Sequence, residues 1–177
     1  MDTRELNYLW LIITAVLIFL FIKLFIFDFY RVKETSMTPS LKPESTIVVF
    51  KAAYGLTNPF TKKIIIRYAS PSINDIVIYR NKKDRKLYIK RVIALAGDSL
   101  ETRDGKLYVN KKIREYKLLN YTFKIKKQKI PKGKLYLLGD NLPSSLDSRS
   151  FGPVFVEDII GKAFFTILPF ASMGVVR

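Results

Sequence analysis

"KLYIKRVIAL", residues 86–95, decides how the folded part of this 177-residue chain is read. Its side chains do not recur at helical spacing. Tyr88, Lys90 and Val92 alternate with Leu87, Ile89, Arg91 and Ile93, the period-two pattern of a strand with two distinct faces. The same short runs of β-branched and aromatic residues return in "TIVVF" (46–50), "KKIIIRY" (62–68), "DIVIY" (75–79), "SLET" (99–102), "KLYVN" (106–110), "KLYLLG" (134–139) and "IIGKAFFTIL" (159–168). Between two of them the Asp–Gly of "RDGK" (103–106) accepts the positive φ of a tight hairpin turn. No amphipathic helix longer than a couple of turns competes. The pattern predicts a mainly β domain over residues 30–177, with antiparallel sheets folded over or closed into a partly open barrel.

Ahead of that domain the pattern changes. Residues 8–22 carry no charge, and after Lys23 the apolar run resumes as "LFIF". With Lys23 free to snorkel, the stretch reaches the roughly twenty residues a bilayer requires. A cleaved leader fits less well, because the basic n-region is missing and the bulky "FDFYR" offers no small-x-small site. The expectation is therefore a short tail over residues 1–7 and one uncleaved transmembrane anchor over residues 8–29. Charges flank both ends almost evenly, so the positive-inside rule gives no orientation.

Composition narrows the chemistry. There is no cysteine, which excludes disulfides and thiolate–zinc sites, and no histidine, which excludes Ser–His and Cys–His machinery as well as histidine-bound metals. No metal or cofactor is expected. The formal charge of +16 is concentrated in residues 111–134, where ten Lys and Arg face a single acid, Glu115. Such a stretch suits a polyanionic neighbour such as lipid head groups, or simply a solvated loop, and it reads as a basic insertion at about 104–134. A nucleic-acid partner is not expected, since aromatic residues are not interleaved as stacking platforms.

"ETSMTPSL" (34–41) places Ser36 just before Met37 and a turn proline. A serine nucleophile without histidine needs another base, and a lysine stripped of water is the well-understood substitute. Lys90 lies within an apolar strand and meets that condition, although an edge-strand lysine that blocks aggregation has the same local pattern. "LLGDNLPSSLDSRSFGPV" (137–154) reads as a polar, irregular loop of the kind on which sites are built, or as a plain connection.

Taken together, these stretches resemble the type I signal peptidases, membrane-anchored serine/lysine proteases that remove signal peptides from exported preproteins. "SMTPSL" (36–41), "NDIVIY" (74–79), "YIKRVIALAGD" (88–98) and "GDNLPSSLDSRSFGPV" (139–154) match the family's motifs in order. Asn74 stands where the family has glycine. The resemblance implies that Ser36 is the nucleophile and Lys90 the general base. It implies that Ser145 orients the Lys90 amine, that Asp147 and Arg149 form a bracing ion pair, and that Arg91 and Asp140 pair nearby. Val32, Met37, Leu41, Ile47, Tyr88 and Ile89 map onto the family's pockets for Ala-x-Ala-like residues. The implied setting is the outer face of the cytoplasmic membrane, single-pass, with preproteins, membrane lipid and, by proximity, the export machinery as partners.

The chain departs from the family at Glu34, where relatives carry a small or hydroxyl residue. An ionised carboxylate cannot donate a hydrogen bond to an oxyanion and would repel it. A catalytically weak, membrane-tethered interaction protein is thus the alternative. Leu142 and Ser144 replace polar residues of the last motif, and the insertion before it is short.

Overall fold

The computed structural model describes residues 3–61, 64–114 and 123–176. Helix α1 (Thr3–Phe21) continues as a wider π-type turn (Ile22–Ile26) and passes without a linker into β1 (Phe27–Arg31). Arg4–Ile26 is 23 residues long and apolar enough to cross a bilayer, and its apolar stretch is not buried inside the protein. At 1.5 Å per residue it extends about 35 Å, more than the ~30 Å hydrocarbon core. The helix starts earlier than the apolar run suggested, so described residues 3–7 are helical rather than a tail. Residues 27–29, grouped with the anchor by composition, belong to a strand. Their period-two alternation, Phe27 and Phe29 against Asp28 and Tyr30, is masked by the apolar residues before them.

The strands that follow are β2 (Thr46–Phe50), β3 (Gly55–Thr57), β4 (Ile64–Arg67), β5 (Ile76–Arg80), β6 (Leu87–Ala94), β7 (Ser99–Arg103), β8 (Lys106–Val109), β9 (Lys112–Arg114), β10 (Gln128–Lys129), β11 (Lys134–Leu138), β12 (Val154–Phe155), β13 (Ile159–Leu168) and β14 (Gly174–Val175). The main sheet runs β1-β2-β13-β5-β6-β11-β12, with β14 also on β13. Every pairing is antiparallel. Register shifts at β13 against β2 and β5, and at β11 against β6, bend the sheet as bulges do and let it curl.

Strand β5 is buried on both faces and separates two apolar layers. Ile76 and Ile78 join Val32, Met37, Leu41, Ile47 and Val49 on one side. Val77 and Tyr79 join Tyr88, Val92, Leu135 and Leu137 on the other. A third cluster lies between the main sheet and a smaller one, β10-β7-β8-β9.

The basic stretch contributes to that smaller sheet. Residues 115–122, including Glu115, lie outside the described residues. Beyond them Phe123 and Ile125 are buried while Lys124 and Lys126 face outward, and Ile130 is also buried. The lysines are therefore the solvated side of a segment whose alternate residues pack into a core.

Strand β13 touches its neighbours closely at Gly161. A Cβ there would stand 2.7 Å from the Phe50 carbonyl oxygen and 3.0 Å from Lys51 Cα, both backbone atoms. Gly161→Ala is expected to lower unfolding stability by about 1–3 kcal/mol, read from denaturant midpoints with the slope unchanged.

Candidate active site

Ser36 sits in a short 3-10 turn, Thr35–Met37, which follows β1 after residues 32–34. The turn is held from outside by Asn141. Its backbone N–H donates to the Ser36 carbonyl at 2.9 Å, and its side-chain amide donates to the Thr35 carbonyl at 3.2 Å and to Thr38 Oγ1 at 3.1 Å. This bracing residue lies in the quoted motif but was assigned no role from sequence. Its signal was present, since a side-chain amide within a turn-rich loop is suited to bonding backbone.

Lys90 Nζ lies 2.7 Å from Ser36 Oγ, and both residues are almost fully buried. Lys90 stands on β6 opposite Val77 of β5, while β11 pairs with β6 on its other side. The edge-strand reading of this lysine is thereby overturned: β6 is interior to the sheet. Burial pushes the Lys90 ammonium down to about 8. The negative charges of Asp147, Glu34 and Asp140 work against burial, and Arg149 works with it. Desolvation wins, because none of those carboxylates is hydrogen-bonded to the amine.

The loop after β11 is locked by Asp147, which is fully buried. It caps helix α2 (Ser148–Phe151) through the Arg149 N–H and accepts from the Gly139 N–H at 3.1 Å. Arg149 completes a two-pronged pair with it, Nε at 2.8 Å and Nη2 at 2.9 Å, and also donates to the Leu142 and Ser145 carbonyls. Arg91 pairs in the same two-pronged way with Asp140, at 2.8 and 2.6 Å, and reaches Ser40 Oγ and the Asn74 carbonyl. Both expected ion pairs are present. The first braces the loop 139–152 internally and the second ties that loop to the strand carrying Lys90, while Asn141 ties it to the turn carrying Ser36.

Ser145 differs from expectation. Its hydroxyl is buried but has no hydrogen-bond partner among the described residues, so no bond to Lys90 is formed. It is packed against Gly139, where a Cβ would collide with Ser145 Oγ and lie 2.6 Å from the Ser36 carbonyl. The close backbone approach at Gly139 sets the spacing of this corner.

Five of the six residues mapped to substrate pockets come together. Val32, Met37, Leu41 and Ile47 form one cluster beneath the Ser36 turn, with Ile89 at its margin. The first four are only 0–3 % exposed, so in this structure they are closed core rather than an open pocket. Tyr88 joins the opposite layer, stacking on Tyr79 at 5.5 Å and donating to Asp84 at 2.7 Å. Its ring also lies 5.7 Å from Lys90 Nζ. Glu34 is exposed, one residue before the turn, in extended backbone. Its charge reaches Lys90 and Tyr88. Among the described residues no group of three or more acidic side chains is arranged to hold a metal ion.

Chemically, a buried amine in contact with a buried hydroxyl suits proton transfer. In the neutral form the hydroxyl donates to the amine, which leaves the oxygen nucleophilic.

Comparison with known proteins gives a consistent pattern. The family described as "Signal peptidase, peptidase S26" matches residues 5–168. Signal peptidase I of Bacillus caldolyticus is 34% identical over 189 residues, covering 98% of this chain and 96% of that protein. Thylakoidal processing peptidase 1 of Arabidopsis thaliana is 33% identical over 140 residues, covering 78% of this chain; the match spans only 41% of the plant protein. A solved signal peptidase I from Enterococcus faecalis aligns with a TM-score of 0.46 and 28% identity, covering 52% of this chain and 95% of that one.

Two outcomes follow from the site's electrostatics. Asp147→Asn leaves the Arg149 guanidinium half-paired in a buried corner and is expected to cost about 3–5 kcal/mol in chemical denaturation. Glu34→Gln removes a charge that favours the ammonium, so the Lys90 titration midpoint moves below about 8, as read by lysine side-chain NMR; an unmoved or raised midpoint contradicts the assignment.

Proposed function

Because the chain belongs to the signal peptidase family, peptidase S26, whose members remove signal peptides, we propose that it cleaves exported preproteins with Ser36 as nucleophile and Lys90 as general base. The observation that carries this reading is the 2.7 Å contact between Lys90 Nζ and Ser36 Oγ in a buried setting that depresses the amine.

Neutral Lys90 takes the Ser36 proton as Oγ attacks the carbonyl carbon of the scissile bond. The Lys90 ammonium then returns that proton to the departing amide nitrogen, the C–N bond breaks, and the signal peptide remains as an ester on Ser36. Neutral Lys90 next takes a proton from water, whose oxygen attacks the ester, and the proton returns to Ser36 as the acid leaves. Asp147, Arg149, Asp140, Arg91 and Asn141 position these groups without touching the reacting atoms. Ser145 is placed beside the same corner, where rotation of its free hydroxyl is the means by which it would orient the amine once substrate is bound.

The preferred bond follows an Ala-x-Ala-like sequence, with the Met37, Leu41 and Ile47 cluster opening to take the small side chains. Helix Arg4–Ile26 acts as a membrane anchor, single-pass, with the catalytic domain on the outer face of the cytoplasmic membrane. Substrate then arrives held by its own apolar segment in the same bilayer.

Glu34 favours a second reading, a weakly catalytic homologue that binds rather than cuts. Its exposed carboxylate lies close to the nucleophile turn and lends no donor to an oxyanion.

The test is cleavage of a preprotein with an Ala-x-Ala site in detergent across pH 6–10. With the amine at about 8, roughly a tenth of Lys90 is neutral at pH 7, so kcat/KM rises about tenfold toward pH 9–10 and then levels. Ser36→Ala and Lys90→Met each lose about a thousandfold or more. An unaltered protein as inert as both variants, with activity appearing in Glu34→Ser, would favour the binding reading.

A further inference from the structure

Lys51 follows β2 directly, opening a short turn, Lys51–Ala53. Its ammonium does not point to solvent. It reaches the end of the long helix, donating to the Lys23 carbonyl at 2.5 Å and the Leu24 carbonyl at 2.9 Å, with the Asp28 carboxylate at 3.7 Å. These carbonyls belong to the last turn of the helix, Ile22–Ile26, where backbone acceptors lack intrahelical partners and the helix dipole is negative. A cation there completes what the helix end requires.

The rest of the junction is equally stiff. The Phe27 N–H donates to the Ile22 carbonyl and closes the helix, while Phe27 already pairs with Phe50, the residue before Lys51. Its ring packs on Phe50 at 5.3 Å and on Phe164 of β13 at 5.7 Å. No flexible residue separates helix from sheet.

We infer that Lys51 clamps the anchor helix to the catalytic sheet and thereby sets which bond of a membrane-held preprotein reaches Ser36. The inference rests on the proteolytic reading above. β1 climbs five residues, about 17 Å, from the helix end toward the Ser36 turn. An extended substrate advances only about 3.4 Å per residue, so a wobble of one residue's length at the junction is enough to present a neighbouring bond. A junction hinged at one helix carbonyl would blur the choice; a lysine bound to two, beside a continuous strand, holds it.

The test uses the full chain in liposomes and a preprotein carrying two overlapping Ala-x-Ala sites one residue apart, as in four successive alanines. The unaltered protein favours one site. Lys51→Met raises the share cut at the other by about threefold or more, the scale of one lost hydrogen bond, and Lys51→Arg, which keeps the donors, restores the preference. Both variants cut a short soluble peptide at the unaltered rate, which shows that the dyad is intact. An unchanged site ratio in Lys51→Met overturns the inference.

A second readout does not depend on catalysis. Because the chain has no cysteine, spin labels at Leu17→Cys and Leu87→Cys report only the helix–sheet distance. A narrow distribution that broadens in Lys51→Met supports the clamp, and an equally narrow one in the variant refutes it. Failure of the unaltered protein to cut either substrate would remove the proteolytic reading, while the distance measurement would still decide the clamp.

Discussion

A lysine amine taken out of water is the constraint around which this protein is arranged. Lys90 is held on an interior strand between β5 and β11, where its ammonium loses solvation that the nearby carboxylates do not replace. The shift to about 8 corresponds to about 3 kcal/mol against the charged form. That is a large fraction of a domain's net stability. Interior strands on both sides and two ion-paired braces hold the group in a position that an isolated hairpin would leave to water.

The braces divide the labour. Asp147 and Arg149 keep the loop 139–152 folded on itself, and Asp147 reaches the Gly139 N–H so that the loop stays against the sheet. Arg91 and Asp140 join the back of β6 to the same loop. Asn141 then fastens the loop to the Ser36 turn. Ser36 and Lys90 thus come from segments 54 residues apart in sequence yet meet in one buried corner. The acidic braces also moderate the amine: their charge raises its affinity for protons while burial lowers it, and the balance leaves it titrating near physiological pH.

At the other end of the sheet, the junction with the helix solves a different problem. A long apolar helix that is exposed up to its last turn gains little from the domain's core, so its orientation depends on that turn. Lys51, Phe27 and the continuous passage into β1 provide that restraint. The strand carrying Lys90 and the strand that continues the helix belong to the same sheet.

Much of the architecture was legible residue by residue. The eight runs quoted from the sequence each contain a strand, because β-branched and aromatic residues at period two suit a half-buried pleat. Strands β10, β12 and β14 are two residues each and exist only through their partners, so no local pattern announced them. "FDFYR" was hidden by the apolar run before it. The missing histidine pointed to lysine as the only familiar base for a serine, and the twenty-odd apolar residues pointed to a helix able to cross a membrane. Both conclusions rest on residue type and order alone. Which lysine is buried, that the Ser145 hydroxyl has no partner among the described residues while Asn141 carries the turn, that Tyr88 parts from the other mapped residues, and that Lys51 grips the helix end were decided by tertiary structure. The physical reason is that desolvation and hydrogen bonding depend on everything packed around a group, whereas periodicity reports only the faces of its own strand.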